Sequence, residues 1–240
     1  MNESYNIRTS GDALLHCEVS GSEDAPPLVF LHGNGEDMRI FDFAISHFSL
    51  YYRTIAVDTR GHGQSTRGTS PLDFYTFASD LLEVLDALHI DKTTVIGFSD
   101  GANTVLHVAL KAPERIQAMI LLGANYHPKG LRLKPYLLIR LTYIGLIVAS
   151  LFSTKIRKRK EIWGLMISEP NLAVEELSQI AVPTLVATGE NDMVSQSHND
   201  KIIQAIKGAK RFIIPGGDHF WPFNKQELFK QCVADFLENY

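Results

Sequence analysis

Three side chains in the 240-residue sequence have the types and surroundings that nucleophilic catalysis needs: Ser99, Asp192 and His219. Ser99 is the centre of GFSDG, residues 97–101, which follows the apolar run TTVIGF and opens the helix-like ANTVLHVALKA. A serine hydroxyl is a weak nucleophile at neutral pH, so it requires a general base that is itself oriented by a third group. A strand-to-helix turn exposes such a serine on strained backbone, with Gly97 and Gly101 leaving space for close packing around it. GxSxG alone is suggestive, and a serine that merely caps the next helix is the competing reading. The placement between strand and helix is what favours the nucleophile.

The base and the acid are expected later in the chain. GGDHF, 216–220, follows the strand-like RFIIPG and offers His219; GENDMV, 189–194, follows TLVATG and offers Asp192. Both then stand in loops at the carboxyl ends of strands, where ligands bind in open α/β sheets. Glu190 and Asp218 are rival carboxylates, and His198 and His127 are weaker alternatives to His219. The segment after AMILLG reads GANYHP and has no carboxylate, which strengthens Asp192. His16, His47, His89 and His107 read as surface or packing residues.

This set performs acyl transfer: His219 takes the Ser99 proton, Ser99 attacks a carbonyl, and Asp192 holds the imidazole tautomer. The oxyanion that forms needs two fixed donors. The backbone N–H of Asp100, at a helix start where the dipole favours negative charge, is one. Asn34, in the Gly-rich turn LHGNGED after PLVFLH, is the other; a phosphate-binding reading of HGNG lacks the lysine or GxGxxG that should accompany it. The Asp100 side chain has two readings, a first-turn acid that complements the helix dipole or a carboxylate bordering a pocket for an ammonium group. Leu137, Leu141 and Phe220 are the expected substrate contacts.

Those residues must be carried by an alternation of strands and helices. PLVFLH (27–32), TIAVD (54–58), TTVIGF (93–98), AMILLG (118–123), VPTLVATG (182–189) and KRFIIPG (210–216) read as buried strands, with Pro183 at the start of one. Residues 74–90 show helical spacing in Phe74, Phe77, Ala78, Leu81, Leu82, Leu85 and Leu88, with Asp80, Glu83 and Asp86 on the other face. Further helices are expected over 198–208 and 224–239, and a hairpin over Tyr5 to Ser20 turning at Ser10, Gly11 and Asp12. The grammar is that of an α/β protein with helices flanking a sheet. Residues 125–175 break it and read as a helical cap or lid inserted into a core made of 1–124 and 176–240.

The composition, 45% hydrophobic and 21% charged, fits a soluble globule and excludes disorder, collagen and coiled coil. Cys17 and Cys232 stand far apart in no metal-binding pattern, so they read as reduced, and no metal is expected. The net charge of −4 is unevenly placed: residues 129–160 hold nine basic residues and no acid, whereas the other 208 hold 14 basic and 27 acidic. Within that stretch YLLIRLTYIGLIVASLF, 136–152, has a longest charge-free run of 14 residues, Leu141 to Thr154, too short to span a bilayer. Its apolar residues are expected to cover an acyl pocket while KIRKRK, 155–160, stays solvated. Docking on an anionic membrane or attraction of anionic thioesters is the alternative. One basic run without interleaved aromatics does not suggest nucleic acid. The start, MNESYNIRTSGD, has no basic stretch followed by an apolar run, so a cytoplasmic protein is expected; either a monomer or a homodimer is compatible with the sequence.

HGNG, DTRGHGQS (58–65), GFSDG, GENDMV and GGDHF, in that order, resemble the α/β-hydrolase superfamily over most of residues 25–124 and 180–240. The resemblance implies a mainly parallel eight-stranded sheet flanked by helices, no metal or organic cofactor, and a serine hydrolase acting on small carboxylic esters. The GxSDG elbow is similar to that of the valacyclovir hydrolase group, which implies aminoacyl esters as an alternative, with Asp100 facing the ammonium. Amide, thioester and carbon-carbon bond cleavage, perhydrolysis, and ligand binding without catalysis are further options for the same fold.

Overall fold

A computed structural model describes residues 3–240; the first two residues of the start read as lacking a secretory signal lie outside the described residues. In chain order the strands are β1 Glu3–Arg8, β2 Leu14–Ser20, β3 Pro27–Leu31, β4 Arg53–Val57, β5 Thr93–Phe98, β6 Ile116–Leu122, β7 Thr184–Gly189 and β8 Lys210–Ile214. The helices are α1 Asp42–Phe48, α2 Phe74–Ala87, α3 Asp100–Lys111, α4 Leu133–Ala149, α5 Thr154–Ser168, α6 Val174–Leu177, α7 Gln196–Ala205, α8 Trp221–Asn224 and α9 Gln226–Glu238. All eight strands form one sheet in the order β1-β2-β4-β3-β5-β6-β7-β8. β2 runs antiparallel to both neighbours, and β4 through β8 are parallel.

The central strands are continuous apolar runs because both sheet faces are covered. Along β5, Val95 points into a core shared with α2, α3 and α7, whereas Ile96 and Phe98 point into a second core shared with α1 and α9. The expected hairpin forms, with Tyr5 opposite Cys17. β3 lies between β4 and β5, so the winding direction reverses there. The crevice at the carboxyl ends of β3 and β5 is therefore the place where an open α/β sheet receives a ligand.

Helix α2 begins where Asp73 accepts a hydrogen bond from Thr76 N at 2.7 Å, a side-chain cap for an otherwise unsatisfied donor. It ends earlier than its apolar period suggests because His89 takes a positive φ of 55°. Asp80 departs from expectation: it is buried, and Arg60, also buried, grips it through Nε at 2.8 Å and Nη2 at 2.5 Å. Arg60 also donates to Gly11 O, Arg67 O and Thr9 Oγ1, tying the hairpin to the sheet. The helical period placed Asp80 outside; a partner twenty residues earlier holds it inside.

DTRGHGQS acts as a clamp beneath the site. Asp58 accepts from Met38 N at 2.8 Å and from Gln64 N at 2.7 Å, so it joins the turn after β3 to the loop after β4. His32 donates from Nδ1 to Gly33 O at 2.8 Å and accepts Thr59 N on Nε2 at 3.0 Å. Burial pushes its pKa down to about 4, which keeps the ring in that neutral tautomer. Cys17 and Cys232 are buried free thiols. Between β6 and β7 the chain leaves the sheet to form α4 and α5, which pack on each other, and α6, which contacts α3 and α7. Among the described residues no helix is long and apolar enough to cross a membrane.

Candidate active site

Ser99 sits one residue beyond β5 with φ 52° and ψ −115°, a conformation that costs a non-glycine residue about 1 to 3 kcal/mol. Its backbone is held from both sides: Ser99 N donates to Leu122 O at 2.8 Å, and Asn103 N donates to Ser99 O at 3.0 Å. The flanking glycines are required by contact rather than by flexibility. A Cβ on Gly97 would stand 2.5 Å from Ala102 N, and one on Gly101 would stand 2.2 Å from Leu31 O.

The turn after β8 brings His219 over Ser99. Its Nε2 lies 3.1 Å from Ser99 Oγ, and its Nδ1 lies 2.7 Å from Asp192 Oδ1. The imidazole is buried and packs against Phe98 with ring centroids 4.9 Å apart. Asp192 is fully buried at the turn after β7, where Oδ1 also accepts Val194 N at 2.9 Å. Its Oδ2 has no hydrogen-bond partner among the described residues. Beside it lies Gly123, at φ 64°: a Cβ there would stand 2.7 Å from His219 Cε1 and 3.3 Å from Asp192 Oδ2. The segment after β6 thus contributes emptiness where it offers no carboxylate.

The rival groups are occupied elsewhere. Glu190 Oε2 accepts Gly216 N at 2.8 Å and Asp218 Oδ1 accepts Phe220 N at 2.9 Å, each bracing a turn. His198 accepts Tyr126 N at 3.1 Å and stacks on that ring at 3.9 Å. His127 Nδ1 accepts Lys129 N at 3.0 Å.

Asn34 and Asp100 meet across the crevice. Asn34 Nδ2 donates to Asp100 Oδ2 at 2.8 Å and to Ile162 O of α5 at 2.8 Å, so one amide links the turn after β3, the start of α3 and the inserted helices. Burial pushes the Asp100 carboxyl up to about 6, an effect opposed by the Asn34 hydrogen bond and by the charge His219 can carry. Glu36 accepts Gly33 N at 3.0 Å, and burial raises its carboxyl to about 7. This residue lay in plain view in LHGNGED, but nothing in its spacing distinguishes it from a solvated turn acid.

A narrow cavity of about 30 Å³ touches Ser99, Asp100 and His219, and its outer wall includes Ile139 of α4 with Met166 and Glu169 from α5 and its end. Burial raises the Glu169 carboxyl as well, and Asp73 adds to the effect. Leu137 and Leu141 do not reach this cavity: they face outward, 49% and 66% exposed, because the inward side of α4 is the one bearing Ile139. Phe220 stands edge-on to His219 at 5.6 Å and is 46% exposed, outside the cavity lining. Among the described residues no group of three or more His, Cys, Asp or Glu side chains is arranged to hold a metal.

Residues 26–144 match the α/β hydrolase fold family. The chain is 27% identical to the human serine hydrolase BPHL over an alignment of 252 positions, covering 93% of this chain and 83% of that one. It is 23% identical to carboxylesterase YbfK of Bacillus subtilis over 247 positions, covering 92% and 83%. Its fold superposes on a hydrolase from Pseudomonas aeruginosa PA01 with a TM-score of 0.83 at 22% identity, covering 98% of each chain. The sheet order, the winding reversal beneath Ser99 and these relatives agree on one assignment: the chain belongs to the α/β-hydrolase superfamily and is a hydrolase enzyme.

Proposed function

We propose that the protein cleaves small carboxylic esters through an acyl-enzyme formed on Ser99. The observation that carries this reading is the continuous relay from Ser99 Oγ to His219 Nε2 at 3.1 Å and from His219 Nδ1 to Asp192 Oδ1 at 2.7 Å. His219 removes the hydroxyl proton as Ser99 attacks the ester carbonyl, and Asp192, anionic and buried, stabilises the imidazolium. The backbone N–H groups of Asn34 and Asp100 receive the oxyanion; Asp100 opens α3, where its N–H has no acceptor one turn earlier. His219 then protonates the departing alcohol, and a water activated by the same imidazole releases the acid. Residues 125–175 act as a cap over this chemistry, with Ile139 and Met166 against the acyl group.

A second reading, aminoacyl esters, is favoured by one feature of the cavity: two carboxylates, Asp100 and Glu169, line it beside Ser99. Each is destabilised in its charged form by burial, and an ammonium on the substrate would relieve that. Initial rates on p-nitrophenyl acyl esters and matched aminoacyl esters test both readings. Ser99→Ala should abolish turnover on either; undiminished hydrolysis by the purified variant would overturn the serine mechanism. Asp100→Asn should depress the aminoacyl-to-acyl ratio, and a change below about threefold, well under 1 kcal/mol, would reject the ammonium role.

A further inference from the structure

Helix α4 has apolar residues around its whole circumference, the pattern of a helix enclosed in a core or a membrane. Yet Ile139 is its only buried residue. Leu133, Leu137, Leu141, Ile144 and Val148 recur at helical spacing along its outward side, and Leu151 and Phe152 extend that surface into the turn before α5. These seven side chains are between 49 and 86% exposed. An unbroken patch of this kind on a folded protein marks an interaction surface.

The charge around the patch identifies what it meets. Lys134 and Arg140 lie on α4, and Lys155, Arg157, Lys158 and Arg159 lie on the first turns of α5, all exposed. No acid occurs between residues 129 and 160, and the next one, Glu161, is engaged by Arg67 at 3.0 Å. A two-fold contact with a second copy would set these cations against themselves. A surface that is both apolar and anionic accepts all of them. At about 26 Å, α4 is too short to cross a bilayer but long enough to lie along one.

We propose that the outward face of α4, together with the α4–α5 turn, docks on anionic lipid bilayers. The apolar stripe enters the headgroup boundary while the basic residues face the lipid charges. Because Ile139 on the opposite side of the same helix lines the cavity at Ser99, docking sets that cavity about one helix diameter, about 10 Å, from the lipid. The proposal needs no turnover and stands apart from the ester reading.

Co-sedimentation with vesicles of phosphatidylcholine, alone or mixed with phosphatidylglycerol, tests it. The protein should sediment with the phosphatidylglycerol vesicles at low salt and be released as salt is raised. Lys155→Gln with Lys158→Gln should weaken binding roughly fivefold per charge removed. The triple variant Ile144→Gln, Val148→Gln, Phe152→Gln, at exposed positions of that face away from the cavity, should lose about tenfold or more while keeping the wild-type Tm. Failure to bind phosphatidylglycerol vesicles at low salt would overturn the proposal, as would wild-type binding by the triple variant. Light scattering that finds a dimer split by that variant would instead give the face to a second copy.

Discussion

Replacing Asp100 by asparagine sets two opposed contributions of one carboxylate against each other. Its folded pKa of about 6 stands roughly two units above the ordinary 3.8, chiefly through burial. At 1.36 kcal/mol per unit, the ionised group destabilises the fold by about 3 kcal/mol. Working against this, an acid in the first turn of α3 gains about 0.3 to 1 kcal/mol from the helix dipole. Asparagine has the same shape and can present its amide oxygen to Asn34 Nδ2, preserving the 2.8 Å hydrogen bond. Burial should win, and Asp100→Asn should be more stable than wild type by about 2 kcal/mol near pH 8. The pH dependence has a definite sign. The folded state binds this proton more tightly than the unfolded chain, so below about 3.8 both are protonated and no penalty exists. As pH rises, the penalty grows and is complete above about 6. Paired urea titrations with equal m-values across that window give the difference directly. A variant less stable than wild type at pH 8, or a difference independent of pH, would refute the reasoning and leave the dipole as the carboxylate's main effect.

Gly123→Ala should lower kcat about a hundredfold with little change in KM, because a Cβ placed 2.7 Å from His219 Cε1 displaces the imidazole by a fraction of an ångström; unchanged kcat in steady-state assays would contradict this. Asp80→Ala leaves the buried Arg60 guanidinium without its counter-ion and should cost about 3 to 5 kcal/mol in urea unfolding, and a loss under about 1 kcal/mol would mean that Arg60 finds other anions. If Asp100 recognises an ammonium, the aminoacyl-to-acyl rate ratio should rise through about pH 6 as the carboxyl ionises and fall through about pH 7.7 as the substrate amine is deprotonated. A flat ratio between those limits would count against it.

The strands and the turn that carries Ser99 were legible because their signals are local. The apolar run of β5, the glycines on either side of Ser99 and the turns holding Asp192 and His219 each state their geometry within a few residues. What was hidden depended on the third dimension. α4 is apolar on all sides, so its sequence does not say which side faces inward, and Leu137 and Leu141 read as well as Ile139, which does the lining. Asp80 lies at an outward helical position by period, and only the reach of Arg60 explains its burial. Gly123 matters through a void beside groups distant in sequence, and Glu169 joins Asp100 at the cavity only because α5 folds back over the crevice. The short α1 carries too few turns to announce a period, yet its Ala44 and Phe48 fill the core beneath β3.

The cavity over Ser99 is narrow, about 30 Å³, and Ile139 and Met166 stand in its wall. If Ile139 and Met166 must give way before an acyl group can enter, the state that binds substrate is an open one. The affinity observed for any acyl ester is then its intrinsic affinity reduced by the fraction of molecules already open, a factor common to every substrate. Differences between acyl groups arise only in contacts made after that opening. A change at the outer face of α4 that favours the open state would raise apparent affinity for all of them alike, leaving their order of preference intact.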